Sequence, residues 1–231
     1  MRRVYRHAAT VAADGRFAIE LDGKSLRTPA KAALAVPSWA LAEAIAEEWL
    51  AQGGQVRPQT LSLTRLASTA IDLIAPRRAE IVAEIAEYAG TDLLCYRAAH
   101  PPELAQRQHQ VWQPLLDWAA LRYDAPLRSA TGIVPLEQPA ASLRAYEAAV
   151  AAYEAMALAG LNLATRACGS LVLALALAEG RIDADAAFAA AQLDESFEIE
   201  RWGEDSEQTR GRSAVKEDIV LAARFIDLLR R

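Results

Sequence analysis

The sequence predicts an α+β protein, with a small N-terminal antiparallel β-containing domain followed by a larger, mainly helical domain. Three observations lead there. Alternating, strand-like segments with turn dipeptides are confined to the first 36 residues. From Ser38 onward the apolar residues recur at helical spacing. Alanine, the best helix former, makes up more than a fifth of the 231 residues. Strands first and helices after is the order of an α+β chain. The division is placed as 1–98 for the N-terminal α+β domain and 99–231 for the C-terminal helical domain.

The elements follow in order. Val4-Tyr5-Arg6 is expected to start a strand, and Asp14-Gly15 and Asp22-Gly23 are hairpin turns between apolar runs. Thr28-Pro29 breaks the pattern, and 33–36 is a further short strand. Ser38 is the expected N-cap of a helix whose Leu41, Ile45 and Trp49 share one face. Gly53-Gly54 stops it. Val56 to Leu63 has strand character, 65–74 and 77–89 are helical, and Asp92 to Tyr96 returns to the sheet. Pro101-Pro102 opens a long helix over 103–123, with Leu104, Gln108, Val111, Leu115, Trp118 and Leu121 near one stripe. Pro114 inside it predicts a kink or a boundary. After a Pro-rich connection come four helices, about 140–158, 160–179, 184–202 and 213–229, with Asp183 and Ser213 as N-caps.

Composition bounds the function. The formal charge of −5 argues against a nucleic-acid binder, whose domains are usually basic. Cys95 and Cys168 stand far apart in apolar surroundings, which implies no disulfide framework and a reducing compartment. The N-terminal MRRVYRHAATVAADG has no apolar run behind its arginines and is not a secretory signal. Residues 155–178 are long enough to span ~30 Å of hydrocarbon. Arg166 near their middle, at an insertion cost of ~2.5–3.5 kcal/mol, makes them a buried core helix instead.

Familiar catalytic patterns are missing. His7, His100 and His109 have no second ligand at metal spacing. There is no G-x-S-x-G elbow and no phosphate-cradling glycine motif. Cys168 lies in the apolar helix, where a buried inert thiol is the natural reading. Thr28-Pro29-Ala30-Lys31 reads as a strand-ending turn with a solvated lysine, with a binding turn as the alternative.

The most informative stretch is 184–205. At 100° per residue, Phe188, Ala191, Glu195, Ile199 and Trp202 share one face, and Ala190, Leu193 and Phe197 the opposite one. Glu195 within an apolar stripe must be paired, neutralised or kept for a partner. Arg166 is the candidate ion-pair partner. Glu204 and Asp205 sit where a helix should end after Gly203, and negative charge there opposes the helix dipole. A role outside the helix, a solvated turn, or an acid/base pair are the open readings of these two carboxylates.

The residues also resemble a family. The markers, in order, are Leu21-Asp22-Gly23-Lys24, Thr28-Pro29-Ala30-Lys31, Ala46-Glu47-Glu48-Trp49 with Gln52, and Thr69-Ala70-Ile71-Asp72. They continue with Tyr88-Ala89-Gly90-Thr91-Asp92-Leu93-Leu94-Cys95-Tyr96, Trp112-Gln113-Pro114-Leu115, Gly169-Ser170-Leu171 and Trp202-Gly203-Glu204-Asp205. No single marker is specific, but the ordered set, spanning Val4 to Leu229, resembles the assembly chaperones of the ATP synthase alpha subunit, the ATP synthase assembly factor 2 family. The resemblance implies a non-enzymatic chaperone that binds unassembled alpha subunit and keeps it soluble until beta subunits join. It is consistent with no cofactor and no ATP requirement; with the charge and the Arg166 reading, the expectation is no nucleic-acid partner, no integral membrane segment and a monomeric chain. The compartment would be the bacterial cytoplasm, or the mitochondrial matrix for a eukaryotic member. The candidate client-binding residues are Glu195, Trp202, Glu204 and Asp205. The competing classes are a small-molecule enzyme using a carboxylate pair, and an interaction domain for another client.

Overall fold

The computed structural model describes residues 2–132, 134–203 and 205–231. The chain forms two compact units that are not sequential. One comprises residues 1–78, 153–160 and 224–231, and the other 79–152 and 161–223. Residues 79–98, grouped with the sheet in the sequence reading, lie in the second unit.

In the first unit, β1 (Ala8–Ala13) and β2 (Arg16–Leu21) form an antiparallel hairpin in full register, Ala8 opposite Leu21 through Ala13 opposite Arg16. Asp14 and Gly15 turn the chain with φ of 48° and 74°, the positive pair that a two-residue turn matched to strand twist requires. On the other side of β2 lie the short β3 (Lys24–Ser25) and β4 (Ala35–Val36). The strand expected from Val4 begins only at Ala8. The Asp22 carboxylate takes the backbone N–H groups of Arg6 and His7 at 2.8–3.1 Å, so the Arg6 amide bonds a side chain instead of a strand. Helix α1 (Trp39–Leu50) is capped as expected, Ser38 Oγ accepting from Leu41 N. It buries Leu41, Ile45 and Trp49 with Ile19 and Val36.

Residues 56–63 are not a strand. Pro58–Thr60 is a 3-10 turn, and α2 (Ser62–Thr69) starts directly after it. The reason lies outside the segment: the Glu48 carboxylate accepts from Leu63 N, Thr64 N and Thr64 Oγ1 at 2.7–2.9 Å. An anionic acceptor at a helix N-terminus satisfies its orphan donors and suits its dipole. The helix runs on through a π-helical turn, Ala70–Ile74, to α3 (Arg78–Ala86).

In the second unit, Asp92 to Tyr96 does not return to the first sheet. Leu93–Cys95 is a 3-10 turn, and β5 (Tyr96–Arg97) pairs in parallel with β6 (Ala130–Thr131) as a separate two-stranded sheet. Helix α4 (Pro102–Tyr123) passes through Pro114 as one element, so Pro114 is not a boundary. Its buried face is Leu104, Gln108, Trp112, Leu115, Leu116 and Ala119. Val111 and Leu121, expected on that stripe, are exposed.

The C-terminal half is more broken than its periodicity suggests. It forms α5 (Ala140–Ala151), α6 (Ala155–Cys168), α7 (Leu171–Ala178), α8 (Ala184–Ala191), α9 (Leu193–Trp202) and α10 (Ser206–Arg230). The apolar run 155–178 is interrupted at Gly169-Ser170, and among the described residues no helix is long and apolar enough to cross a membrane. Asp183 caps α8 as expected, its side chain accepting from Ala186 N. Ser213 caps nothing, because it lies inside α10, seven residues past its start at Ser206.

Candidate functional site

The helix expected over 184–202 breaks at Gln192, whose φ of −113° and ψ of 29° leave the helical region. The break separates Phe188 and Ala191 on α8 from Glu195, Ile199 and Trp202 on α9. The buried side of α9 is Leu193 and Phe197. The guanidinium of Arg107 lies 5.2 Å from the centroid of the Phe197 ring, and that of Arg201 lies 4.3 Å from it. Arg107 also pairs with Glu200 at 2.7 Å and Arg201 with Glu103 at 3.6 Å. Gln108 donates to Asp194 at 2.8 Å, and Arg212 donates to Ser196 Oγ at 3.0 Å.

Asp194, Ser196, Glu200 and Arg201 on α9 are therefore all engaged. Glu195 is not: it is half-buried and its carboxylate has no hydrogen bond or ion pair among the described residues. The expected pairing with Arg166 is not formed, and Arg166 is exposed. Trp202, on the same face of α9, leaves 76% of its area in water. An indole this exposed is unusual, since tryptophan is highly buried on average.

After Trp202 the chain reverses through Gly203, whose φ of 85° and ψ of 170° lie in a region that is essentially glycine-only. Asp205 then has a local function. Its Oδ1 accepts from Glu207 N at 2.8 Å and Gln208 N at 2.9 Å, so it is the N-cap of α10. The adverse charge at the end of α9 is thus a favourable charge at the start of the next helix. Asp205 to Gln208 carries the D-x-x-Q spacing of a capping box, the signal that would have found this boundary. Glu204 lies outside the described residues.

The second unit also holds a single buried carboxylate that the sequence reading does not single out. Asp92 is fully buried. It accepts from Leu94 N at 3.0 Å, Ser170 Oγ at 2.7 Å and Val172 N at 3.0 Å. It thereby joins its own turn to the start of α7, where Ser170 Oγ accepts from Leu173 N. Burial pushes the Asp92 carboxyl above the usual carboxylate range, against the lowering effect of those donors. Burial, with the Asp92 charge nearby, pushes the thiols of Cys95 and Cys168 up to about 12. Both are therefore protonated and unreactive at neutral pH. No local sequence signal marks Asp92, because Ser170 and Val172 are 78 and 80 residues away.

The other family markers are also fold-holding contacts. Asp72 accepts from Thr28 Oγ1 at 2.7 Å and Ala30 N at 3.0 Å, which fixes the turn whose Lys31 has a φ of 68°. Trp49 Nε1 donates to Thr64 Oγ1, and Gln52 accepts from Arg57 N. Trp112 Nε1 donates to the Ala190 carbonyl at 2.9 Å. Among the described residues no trio of His, Cys, Asp or Glu is placed to hold a metal ion.

Comparison with known proteins agrees with these markers. A family model described as ATP12 chaperone protein matches residues 2–120. The mitochondrial protein atp12 of Schizosaccharomyces pombe is 25% identical over 214 residues, covering 87% of this chain and 74% of that protein. The crystal structure of Atp12 from Paracoccus denitrificans superimposes with a TM-score of 0.96 at 39% identity, covering 99% of this chain and 98% of that one. The Agrobacterium tumefaciens protein Atu1473 gives 0.92 at 39% identity, over 99% and 85%. With matching sequence motifs, a matching family model and the same fold over nearly its whole length, this chain belongs to the ATP12 chaperone family.

Proposed function

We propose that this protein binds the unassembled alpha subunit of the F-type ATP synthase catalytic head and prevents its aggregation until beta subunits join. It acts without ATP and without catalysis, as a monomer in the bacterial cytoplasm. Family membership supports the chaperone role, and the bacterial relatives support the compartment. The observation that carries the client-binding surface is the pairing on one face of α9 of an exposed Trp202 with a half-buried Glu195 whose carboxylate is unpartnered among the described residues.

The physics is that of a displaceable cover. An unassembled subunit exposes apolar surface that its neighbours will later bury, and such patches aggregate. Trp202 offers apolar area, and aromatic side chains are common anchors at interfaces. Glu195 offers a carboxylate to a basic group of the client, contributing orientation and specificity more than affinity. Asp205, exposed at the start of α10, is a further candidate contact, and Glu204 is a candidate from the sequence that lies outside the described residues. Affinity is not fixed by area, so a moderate complex yields to the larger native interface.

The test is co-expression of the tagged protein with each ATP synthase subunit. The proposal expects selective rescue and co-elution of alpha subunit without added nucleotide, and at least tenfold weaker capture by Glu195→Lys and Trp202→Ala. Folded variants that hold alpha subunit as tightly as the wild type would remove α9 from the interface.

A further inference from the structure

We infer that the open edge of β1 captures an extended, uncharged segment of the client as an added antiparallel strand. This deepens the chaperone proposal and rests on it. The sheet places β1 at its border, paired among the described residues with β2 alone, and α1 packs against the same strand. The hydrogen bond from Asp22 N to the His7 carbonyl at 3.1 Å sets the phase of the ladder. Hydrogen-bonded pairs alternate with non-bonded ones in an antiparallel ladder. Given the register, the bonded residues of β1 are Ala9, Val11 and Ala13. The N–H and C=O groups of Ala8, Thr10 and Ala12 therefore point away from β2. None of these groups has a backbone partner among the described residues.

An edge of this kind accepts one class of occupant, a chain in extended conformation. Natural edges are usually blunted by lysine, proline, a bulge or a covering element. The six residues of β1, Ala-Ala-Thr-Val-Ala-Ala, carry no charge and no proline and pair without a bulge. Ala9 and Ala12 are exposed. Small, uncharged side chains leave room for a partner of similar chemistry and repel none. An edge this short does not by itself hold two copies of this chain together. Six residues span roughly 20 Å, and an edge of that length with such short side chains falls well below the ~1,200 Å² that stable interfaces bury. A contact of this size suits capture and release.

The probe is a fluorescein-labelled heptapeptide of alternating Thr and Val, with a second version N-methylated at its three central residues. Anisotropy with the purified full chain should show binding of the first and at least tenfold weaker binding of the second, which lacks the donors. Ala12→Pro removes one outward N–H at a position where proline is tolerated on an edge, and should weaken binding of the first peptide at least tenfold. Equal binding of both peptides would overturn the inference without any variant having to fold. Sedimentation at the mass of two chains, lost in Ala12→Pro, would give the edge to a second copy and also overturn it. Absent capture of alpha subunit by the wild type would defeat the function proposed above, and peptide binding reads the edge separately.

Discussion

Two helix junctions in the second unit are built alike and used differently. At one, α6 ends at Cys168, Gly169 adopts a φ of 61°, and Ser170 caps α7. At the other, α9 ends at Trp202, Gly203 adopts a φ of 85°, and Asp205 caps α10. Each joins a helix to the next through a positive-φ glycine and a side-chain oxygen at the N-cap. The first is sealed: Ser170 is fully buried and its hydroxyl donates to the buried Asp92. The second is open, with Trp202 76% exposed at its start. The same local grammar therefore serves stability where it is buried, and leaves side chains free for a partner where it is exposed.

The comparison can be broken from the sealed side first. Asp92→Ala would orphan several buried donors, at ~1–3 kcal/mol each, and should cost at least ~3 kcal/mol by urea unfolding. A loss under ~1 kcal/mol would mean that the cluster is not what holds α7. The pH dependence has a definite sign. The Asp92 carboxyl is raised from its ordinary 3.8, so the folded state holds this proton more tightly than the unfolded chain. Its contribution is full below that ordinary value and falls as pH rises through the folded one. The stability advantage of wild type over Asp92→Asn should therefore shrink with rising pH, and an advantage that grows would refute the assignment.

Smaller effects sharpen the contrast. Gly169→Ala meets no steric obstacle, since nothing lies within 4 Å of the added carbon, but carries the ~1–2 kcal/mol left-handed penalty of an L-residue. Asp205→Ala removes a cap worth ~1 kcal/mol, visible as faster amide exchange at Glu207 and Gln208. Trp202→Ala, at a site making little buried contact, should change stability by no more than ~0.5 kcal/mol. A large loss there would make Trp202 a structural residue.

How much of this was legible depends on where each partner lies in the chain. The hairpin turns, the Ser38 and Asp183 caps and the α+β order are set by neighbouring residues, and the structure agrees with them. The missed boundaries were set from a distance. Glu48 starts α2 from 14 residues before it, where periodicity alone suggested a strand. Asp92 secures α7 from 79 residues away, and nothing in its own segment announces this. The break at Gln192 left an apolar stripe that reads as continuous in sequence and is divided in space. Asp205 is the exception: its capping-box spacing is local, and a helix start placed at Ser213 passes over it. Glu195 and Trp202 were singled out from the sequence, and the structure adds that one is unpartnered among the described residues and the other exposed.

The most direct test of the open junction's role is alpha-subunit capture by Trp202→Ala, measured beside its unfolding midpoint. The account expects a midpoint equal to wild type and at least tenfold weaker co-elution of alpha subunit. Wild-type capture by a folded Trp202→Ala protein would contradict it.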